Sequence, residues 1–143
     1  GVLATLAVGL GASQVKAATP KTDKSRKIAG NITKSQDVPL FSGHTIHGNL
    51  VFIAGKGAHF DGDISDHTDH VLKEVEKELV KAGSSMDKVI KCLVFLTDMN
   101  DFQAMNEVYK SYFTSNPPAR SCVKVDALAR PELIVEIEAI AVV

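Results

Sequence analysis

Hydrophobic residues recur along residues 37–143 at the two spacings that distinguish strands from helices. Alternating or continuous apolar runs predict strands, and apolar positions three and four residues apart predict helices. The predicted strands lie within residues 41–47, 50–55, 89–97, 117–125 and 133–143, with one helix before the third strand and another after it. The resulting order, β-β-α-β-α-β-β, predicts an α+β fold with a single mixed sheet and both helices on one face.

Local signals mark the boundaries of these elements. Gly48 and Asn49 form a favourable two-residue turn between the first two strands. Ser65 or Asp66 can cap the first helix, and Gly83 is a natural stop. The apolar positions of this helix recur at intervals of three and four: Val71, Leu72, Val75, Leu79 and Ala82. The pattern predicts a helix that buries one face.

The predicted sheet is apolar on both faces. In residues 89–96 the side chains of both strand faces are apolar apart from Lys91, and the last strand is nearly continuous in apolar residues. Since two helices can cover only one face, the other face needs a partner. A closed homo-oligomer is the usual solution, although the pattern does not fix the number of copies.

Ionisable residues stand among the apolar residues of the last two strands. Strand parity places Arg120 and Cys122 on one face of the first run, and Glu136 and Glu138 on one face of the second. Burying a charge costs several kcal/mol unless it is paired or solvated. These residues therefore form either a structural ion-pair network or a site in which the guanidinium recognises a carboxylate.

Charge divides the chain into two parts. Residues 1–36 hold six Lys or Arg and one Asp, whereas residues 37–143 hold 10 basic and 16 acidic residues. We predict that residues 37–143 form one folded domain, for which a hydrophobic content of 45% over the chain is sufficient. An acidic domain is a poor match for a phosphate backbone, so we expect no nucleic-acid partner.

The first 36 residues are typical of an export-signal remnant followed by a flexible basic linker. Residues 2–10 are apolar and uncharged, and residues 15–17 (VKA) place small residues where a signal peptidase reads them. Residues 18–27 are polar and basic. We expect a periplasmic or secreted protein without a membrane anchor in its mature form. The alternatives are a short helix of the mature protein and a cytoplasmic location.

Two further patterns give weaker indications. The sequence Asp66-His67-Thr68-Asp69-His70 places two histidines three apart, a spacing that can bind zinc on a helix. A polar helix N-terminus with solvated histidines explains the pattern equally simply, and we expect no metal. The two cysteines are too few for a disulfide framework.

The C-terminal sequence resembles the signature of the RidA family, also called YjgF. Residues 118–123 (PARSCV) and residues 135–141 (VEIEAIA) carry the most specific part of the resemblance. Residues 48–55 (GNLVFIAG) resemble the second strand of the family, and residues 91–102 (KCLVFLTDMNDF) resemble its central strand and the start of its second helix. The resemblance covers about residues 38–143.

This resemblance implies a fold, an assembly and a reaction. The fold is chorismate-mutase-like, and three copies pack their sheets into a barrel with pockets at the subunit interfaces. The reaction is the hydrolytic deamination of reactive enamines and imines, such as 2-aminoacrylate and 2-iminopropanoate, to 2-keto acids and ammonia. It requires neither a metal nor an organic cofactor, and the ligand is a small 2-imino or 2-keto acid.

The resemblance also assigns roles to individual residues. Arg120 matches the arginine that holds the substrate carboxylate, and Glu136 matches the glutamate that positions or activates water. Asn106 and Cys122 match pocket positions, and backbone groups near Gly55 could complete the carboxylate site.

Two positions depart from the pattern of the family's deaminases. Phe41 aligns with a tyrosine and lacks its hydroxyl, and Ala54 stands where the family has a serine. These departures are compatible with a deaminase for a different imine. They equally favour a non-catalytic relative that binds small carboxylates or acts as a chaperone-like partner.

Overall fold

The structure is a computed structural model that describes residues 25–143, together with residues 2, 4, 5, 9 and 23. The expected export segment lies largely outside the described residues, so export stays a prediction. Among the described residues, no helix combines the length and apolar character needed to cross a membrane.

Six strands and two α-helices form the described part of the chain. The strands are β1 (Ile28–Ser35), β2 (Val38–His47), β3 (Leu50–Gly57), β4 (Val89–Leu96), β5 (Ala119–Lys124) and β6 (Val135–Val142). The helices are α1 (Ile64–Lys81) and α2 (Phe102–Tyr109), with 3-10 turns at Met86–Lys88, Met99–Asp101 and Lys110–Tyr112. One mixed sheet has the order β1-β2-β3-β6-β4-β5, in which only β4 and β5 run parallel. The predicted α+β class is confirmed.

Strand β1 is one strand more than the sequence predicted. It lies within residues 1–36, so the prediction of a flexible linker is wrong for residues 28–35. Seven of its eight residues are exposed, which explains why no hydrophobic alternation marked it. A tight turn joins it to β2, with Gln36 and Asp37 at φ angles of 49° and 63°. Positive φ at both central residues is the geometry of a type I′ hairpin turn.

The core lies between the sheet and the two helices. Strands β3, β4 and β6 bury alternate residues against them, as in the series Val135, Ile137, Ala139 and Ala141 of β6. All five apolar positions predicted for α1 are buried, and Gly83 follows the helix with a φ of 81°. The predicted N-cap is wrong, because Asp63 caps α1 by accepting a hydrogen bond from the amide of Asp66.

The opposite face of the sheet is open in a single chain. Its exposed apolar residues include Leu50, Phe52 and Val123. This is the second apolar face that the sequence predicted. It is the surface that a further copy of the chain would have to cover.

Candidate functional site

Arg120 lies on β5 with its side chain directed towards α2. Its Nη1 donates a hydrogen bond of 2.8 Å to Oδ1 of Asn106. The guanidinium carbon stands 4.6 Å from the ring centre of Tyr109 and 5.8 Å from that of Phe102. The three α2 residues are four and three positions apart, so the helix presents them on one side. Stacking against aromatic rings and one hydrogen bond orient the guanidinium while leaving further N–H groups for a ligand.

Cys122 follows Arg120 on the same face of β5, as the sequence predicted. Partial burial raises the pKa of its thiol, and the nearby Arg120 charge offsets only part of that effect. Cys122 is therefore a neutral thiol suited to lining a pocket, and it lacks the lowered pKa typical of nucleophilic cysteines. Cys92, opposite Arg120 on β4, is buried in the core, and both cysteines are free.

Glu136 lies on β6 with its carboxyl group over Gly55. A Cβ atom at position 55 would stand 2.7 Å from Cδ and 2.8 Å from Oε2 of Glu136. The glycine therefore leaves the space that the carboxyl group occupies. Burial raises the pKa of Glu136, and the neighbouring Glu138 charge raises it further. A carboxyl group with a raised pKa is better suited than an ordinary carboxylate to accept a proton and return it.

Ala54 lies on β3, which pairs with the strand of Glu136, whereas Phe41 lies one strand further out, on β2. Ala54 immediately precedes Gly55 on β3, where the pairing with β6 shifts register between Ile53 and Lys56. Phe41 lies on β2 opposite Thr33, and its side chain is largely exposed. Neither residue offers a hydroxyl group to the space beside Glu136.

The predicted residues fall into two groups on opposite faces of the sheet. Arg120 pairs with Cys92 of β4, whose side chain is buried against the helices. Glu136 pairs with Phe95, three residues further along β4 and on the other face. One ligand therefore cannot contact both side chains of the same chain. Arg120, Asn106 and Cys122 form one group, and Gly55 and Glu136 lie in the other.

A buried polar cluster that was not predicted from the sequence surrounds Glu78. This α1 residue is 1% exposed and accepts hydrogen bonds from Asn31, His44 and Lys56. The spacing along the sequence could have indicated this burial. Glu78 lies three residues after Val75 and seven after Val71, which places it on the buried face of the helix. The contact of Tyr109 with Arg120 was likewise not predicted from the sequence.

The histidine pattern at the start of α1 is explained by packing. His67 is 1% exposed and its Nε2 contacts the carbonyl oxygen of Phe60 at 2.7 Å, so the expectation of solvated histidines is wrong for this residue. His70 packs edge-on against the same Phe60 ring. Within the part of the chain that the structure describes, no three His, Cys, Asp or Glu side chains gather as metal ligands.

The sequence of this chain is similar to several known proteins, whose names agree with one another. Residues 35–143 match the model of the family described as Endoribonuclease L-PSP. A RutC family protein of Pyrococcus horikoshii is 46% identical over 101 residues, which cover 66% of this chain and 79% of that protein. A human protein named 2-iminobutanoate/2-iminopropanoate deaminase is 38% identical over 97 residues, which cover 68% of this chain and 70% of that protein.

Solved structures share the same fold. A YjgF family protein from Neisseria meningitidis superposes with a TM-score of 0.75 at 28% identity, covering 83% of this chain and 96% of that one. Yeast Mmf1 superposes with a TM-score of 0.71 at 31% identity, covering 87% and 97%. The resemblance noted in the C-terminal strands thus extends over residues 35–143, which include β2 to β6, and the chain belongs to the RidA/YjgF family, whose model is described as Endoribonuclease L-PSP.

Proposed function

We propose that this protein hydrolyses reactive 2-imino acids and their enamine tautomers to 2-keto acids and ammonia. Relatives named as deaminases of such compounds support the proposal at the level of the family. The observation that carries it for this chain is the guanidinium of Arg120, oriented by Asn106 and Tyr109 with N–H groups left for a ligand. A fork of parallel donors is the group that best fixes a carboxylate.

The chemistry needs a held carboxylate and a group that manages protons. With the carboxylate on Arg120, protonation of the enamine carbon gives the imine, and water then adds to the imine carbon. The resulting carbinolamine loses ammonia as its C–N bond breaks, which leaves the keto group. Glu136, whose pKa is raised by burial and by Glu138, is suited to take a proton from water and return it to the leaving nitrogen.

The proposed site lies between two copies of the chain. Within one chain Arg120 and Glu136 occupy opposite faces of the sheet, and the face that carries Glu136 is open and apolar. A homotrimer that closes these faces into a barrel would bring the Arg120 group of one copy to the Glu136 group of the next. The assembly would also bury the exposed apolar residues.

A coupled assay tests the activity. A pyridoxal-phosphate dehydratase generates 2-iminopropanoate in situ, and pyruvate release is followed with the wild type, with Arg120→Ala and without addition. We expect acceleration by the wild type and its loss in Arg120→Ala. The matched control is Arg130→Ala, because Arg130 is an exposed arginine outside both groups. Equal rates with and without wild-type protein of verified fold would refute the proposal for this substrate.

A second candidate is a binding protein without turnover. Phe41 and Ala54 favour it, because both lack the hydroxyl groups that the deaminases of the family carry at these positions. Calorimetric titration with 2-ketobutyrate or benzoate distinguishes the two. Binding that is lost in Arg120→Ala, combined with no imine hydrolysis, would support the binding role.

A further inference from the structure

The Glu78 cluster joins three strands to α1 through one carboxyl group. Asn31 of β1 donates to Oε1 at 2.5 Å, Lys56 of β3 approaches Oε1 at 3.1 Å, and Nδ1 of His44 on β2 contacts Oε2 at 3.2 Å. The side chains of Glu78 and His44 are 1% and 8% exposed, and that of Lys56 is 20% exposed. Buried charges of this kind are retained where they are fully paired.

The backbone around the cluster is shaped to admit it. A Cβ atom at Gly43 would overlap Oε1 of Glu78, and one at Gly30 would overlap the ring of His44. Both glycines lie on the β1–β2 hairpin, so two polar side chains occupy space that ordinary residues would fill. Replacing such clusters by apolar residues of similar volume is often neutral or stabilising, which points to a role in fixing local geometry rather than in net stability.

Lys56 connects this cluster to the candidate site. It stands between two glycines on β3, and the register with β6 places Lys56 opposite Ile137 and Gly57 opposite Glu136. Gly55, on the other side of Lys56, leaves the space that the Glu136 carboxyl group occupies. Between residues 55 and 57, Lys56 therefore supplies the only side chain that can anchor the strand.

The strand needs such an anchor at this point. The pairing of β3 with β6 shifts register between Ile53 and Lys56, so the regular ladder is interrupted beside Gly55. Glycines are also conformationally permissive. The ion pair with Glu78, on the helix-covered face, restrains the backbone that faces Glu136 on the open face.

We propose that Glu78 is a positioning residue of the deaminase site, which acts through Lys56 to fix residues 55–57 beneath the carboxyl group of Glu136. The inference rests on the proposed function of Glu136, but it also has a consequence that needs no turnover. Loss of the anchor lets Glu136 move towards water, whereas the carboxylate clamp at Arg120 is untouched.

Two variants test the proposal by kinetics. Glu78→Gln keeps the shape of the side chain, and Lys56→Met keeps most of the aliphatic stem. We expect both to lower kcat on the order of 10-fold with a smaller rise in KM, because misplacement of a reacting group is costly while Arg120 still holds the substrate carboxylate. The matched control is Glu74→Gln, which removes a half-exposed α1 carboxylate paired with Lys77 and should leave both constants unchanged.

Carboxyl NMR titration of Glu136 gives the second measurement, with the signal assigned through Glu136→Gln. Removing the Lys56 charge would by itself raise the pKa of Glu136, whereas displacement of the carboxyl group into water would lower it. We expect a lowered pKa in Lys56→Met. A raised or unchanged pKa in folded Lys56→Met would overturn the proposal, as would an equal loss of kcat in Glu74→Gln.

The two proposals fail separately. If the wild type hydrolyses no imine, the proposed function is wrong and the titration alone decides whether Glu78 and Lys56 position Glu136. If Glu78→Gln does not fold, Lys56→Met provides both measurements. Unchanged kcat and an unchanged Glu136 titration, with only a lower melting temperature, would show that the cluster is purely structural.

Discussion

Glu78→Gln should destabilise the protein far more than any exposed charge on the same helix. The carboxylate has lost nearly all contact with water and accepts three hydrogen bonds, one of them from the Lys56 ammonium group. Breaking a buried pair by removing one partner costs about 3–5 kcal/mol. Since Lys56 is partly exposed and the amide keeps one acceptor oxygen, we expect a loss of about 3 kcal/mol, at the lower end of that range.

The pH dependence of this loss follows from the titration of Glu78. Burial alone would raise the pKa of Glu78, but hydrogen bonds from Asn31, Lys56 and His44 outweigh it and hold that pKa below the ordinary value of 4.5. The unfolded chain therefore takes up this proton first as the pH falls. The stabilisation is fully present above the unfolded-state pKa and is lost as the pH falls through the folded-state pKa. Because glutamine does not titrate, the difference in the free energy of unfolding between wild type and Glu78→Gln should decrease below about pH 4.5.

Urea unfolding at pH 7 and pH 3.5, at one fixed protein concentration, measures both effects. The concentration must be fixed because assembly would contribute to the free energy of unfolding. Glu74→Gln, which removes a surface ion pair, should cost less than about 0.5 kcal/mol at either pH. If Glu78→Gln lowers the free energy of unfolding by less than about 1 kcal/mol, the reasoning is refuted, because surface substitutions without a special role have effects of that size. A difference between wild type and variant that is the same at both pH values would refute it as well.

Three further substitutions examine the site and the open face. Glu138→Gln removes a neighbouring negative charge, so the pKa of Glu136 should fall and the acidic limb of the pH–rate profile should move to lower pH; an upward shift would contradict this. Gly55→Ala places a Cβ atom 2.8 Å from Oε2 of Glu136, so kcat should drop at least about 10-fold in a folded protein. An unchanged kcat would show that the carboxyl group moves aside without affecting the reaction. Phe52→Lys puts a charge on the open apolar face and should yield smaller species by light scattering, whereas Val80→Lys on the exposed side of α1 should not. Assembly unaffected by Phe52→Lys would exclude this face as the interface.

Much of the fold could be predicted from residue periodicity. The spacing of the buried residues in α1 and the alternation along β6 both depend on local geometry, which sequence reports directly. Strand β1 escaped prediction because its residues face water on nearly every position, and pairing with β2 rather than burial defines it. Glu78 escaped because its charge suggested an exposed position, although its spacing placed it inward.

The candidate site could be predicted residue by residue but not as an arrangement. The alternation of side chains along a strand correctly placed Arg120 and Cys122 on one face of β5. It also correctly placed Glu136 and Glu138 on one face of β6. Which face of the sheet each strand presents depends on strand order and register, and these are set by β4 lying between β5 and β6. Sequence spacing alone carries no information on that relation, so the separation of the two groups emerged only from the structure.

The separation of Arg120 and Glu136 makes a prediction about mixed assemblies. On the proposed arrangement, each site takes its arginine from one copy and its glutamate from the next. Arg120→Ala and Glu136→Gln should each be inactive alone, yet a mixture unfolded and refolded together should regain activity. In randomly mixed rings, about a quarter of the sites would join an intact arginine to an intact glutamate, so activity should approach one quarter of the wild-type value. If both residues served a site within one chain, no mixed site would be complete, and the refolded mixture would stay inactive.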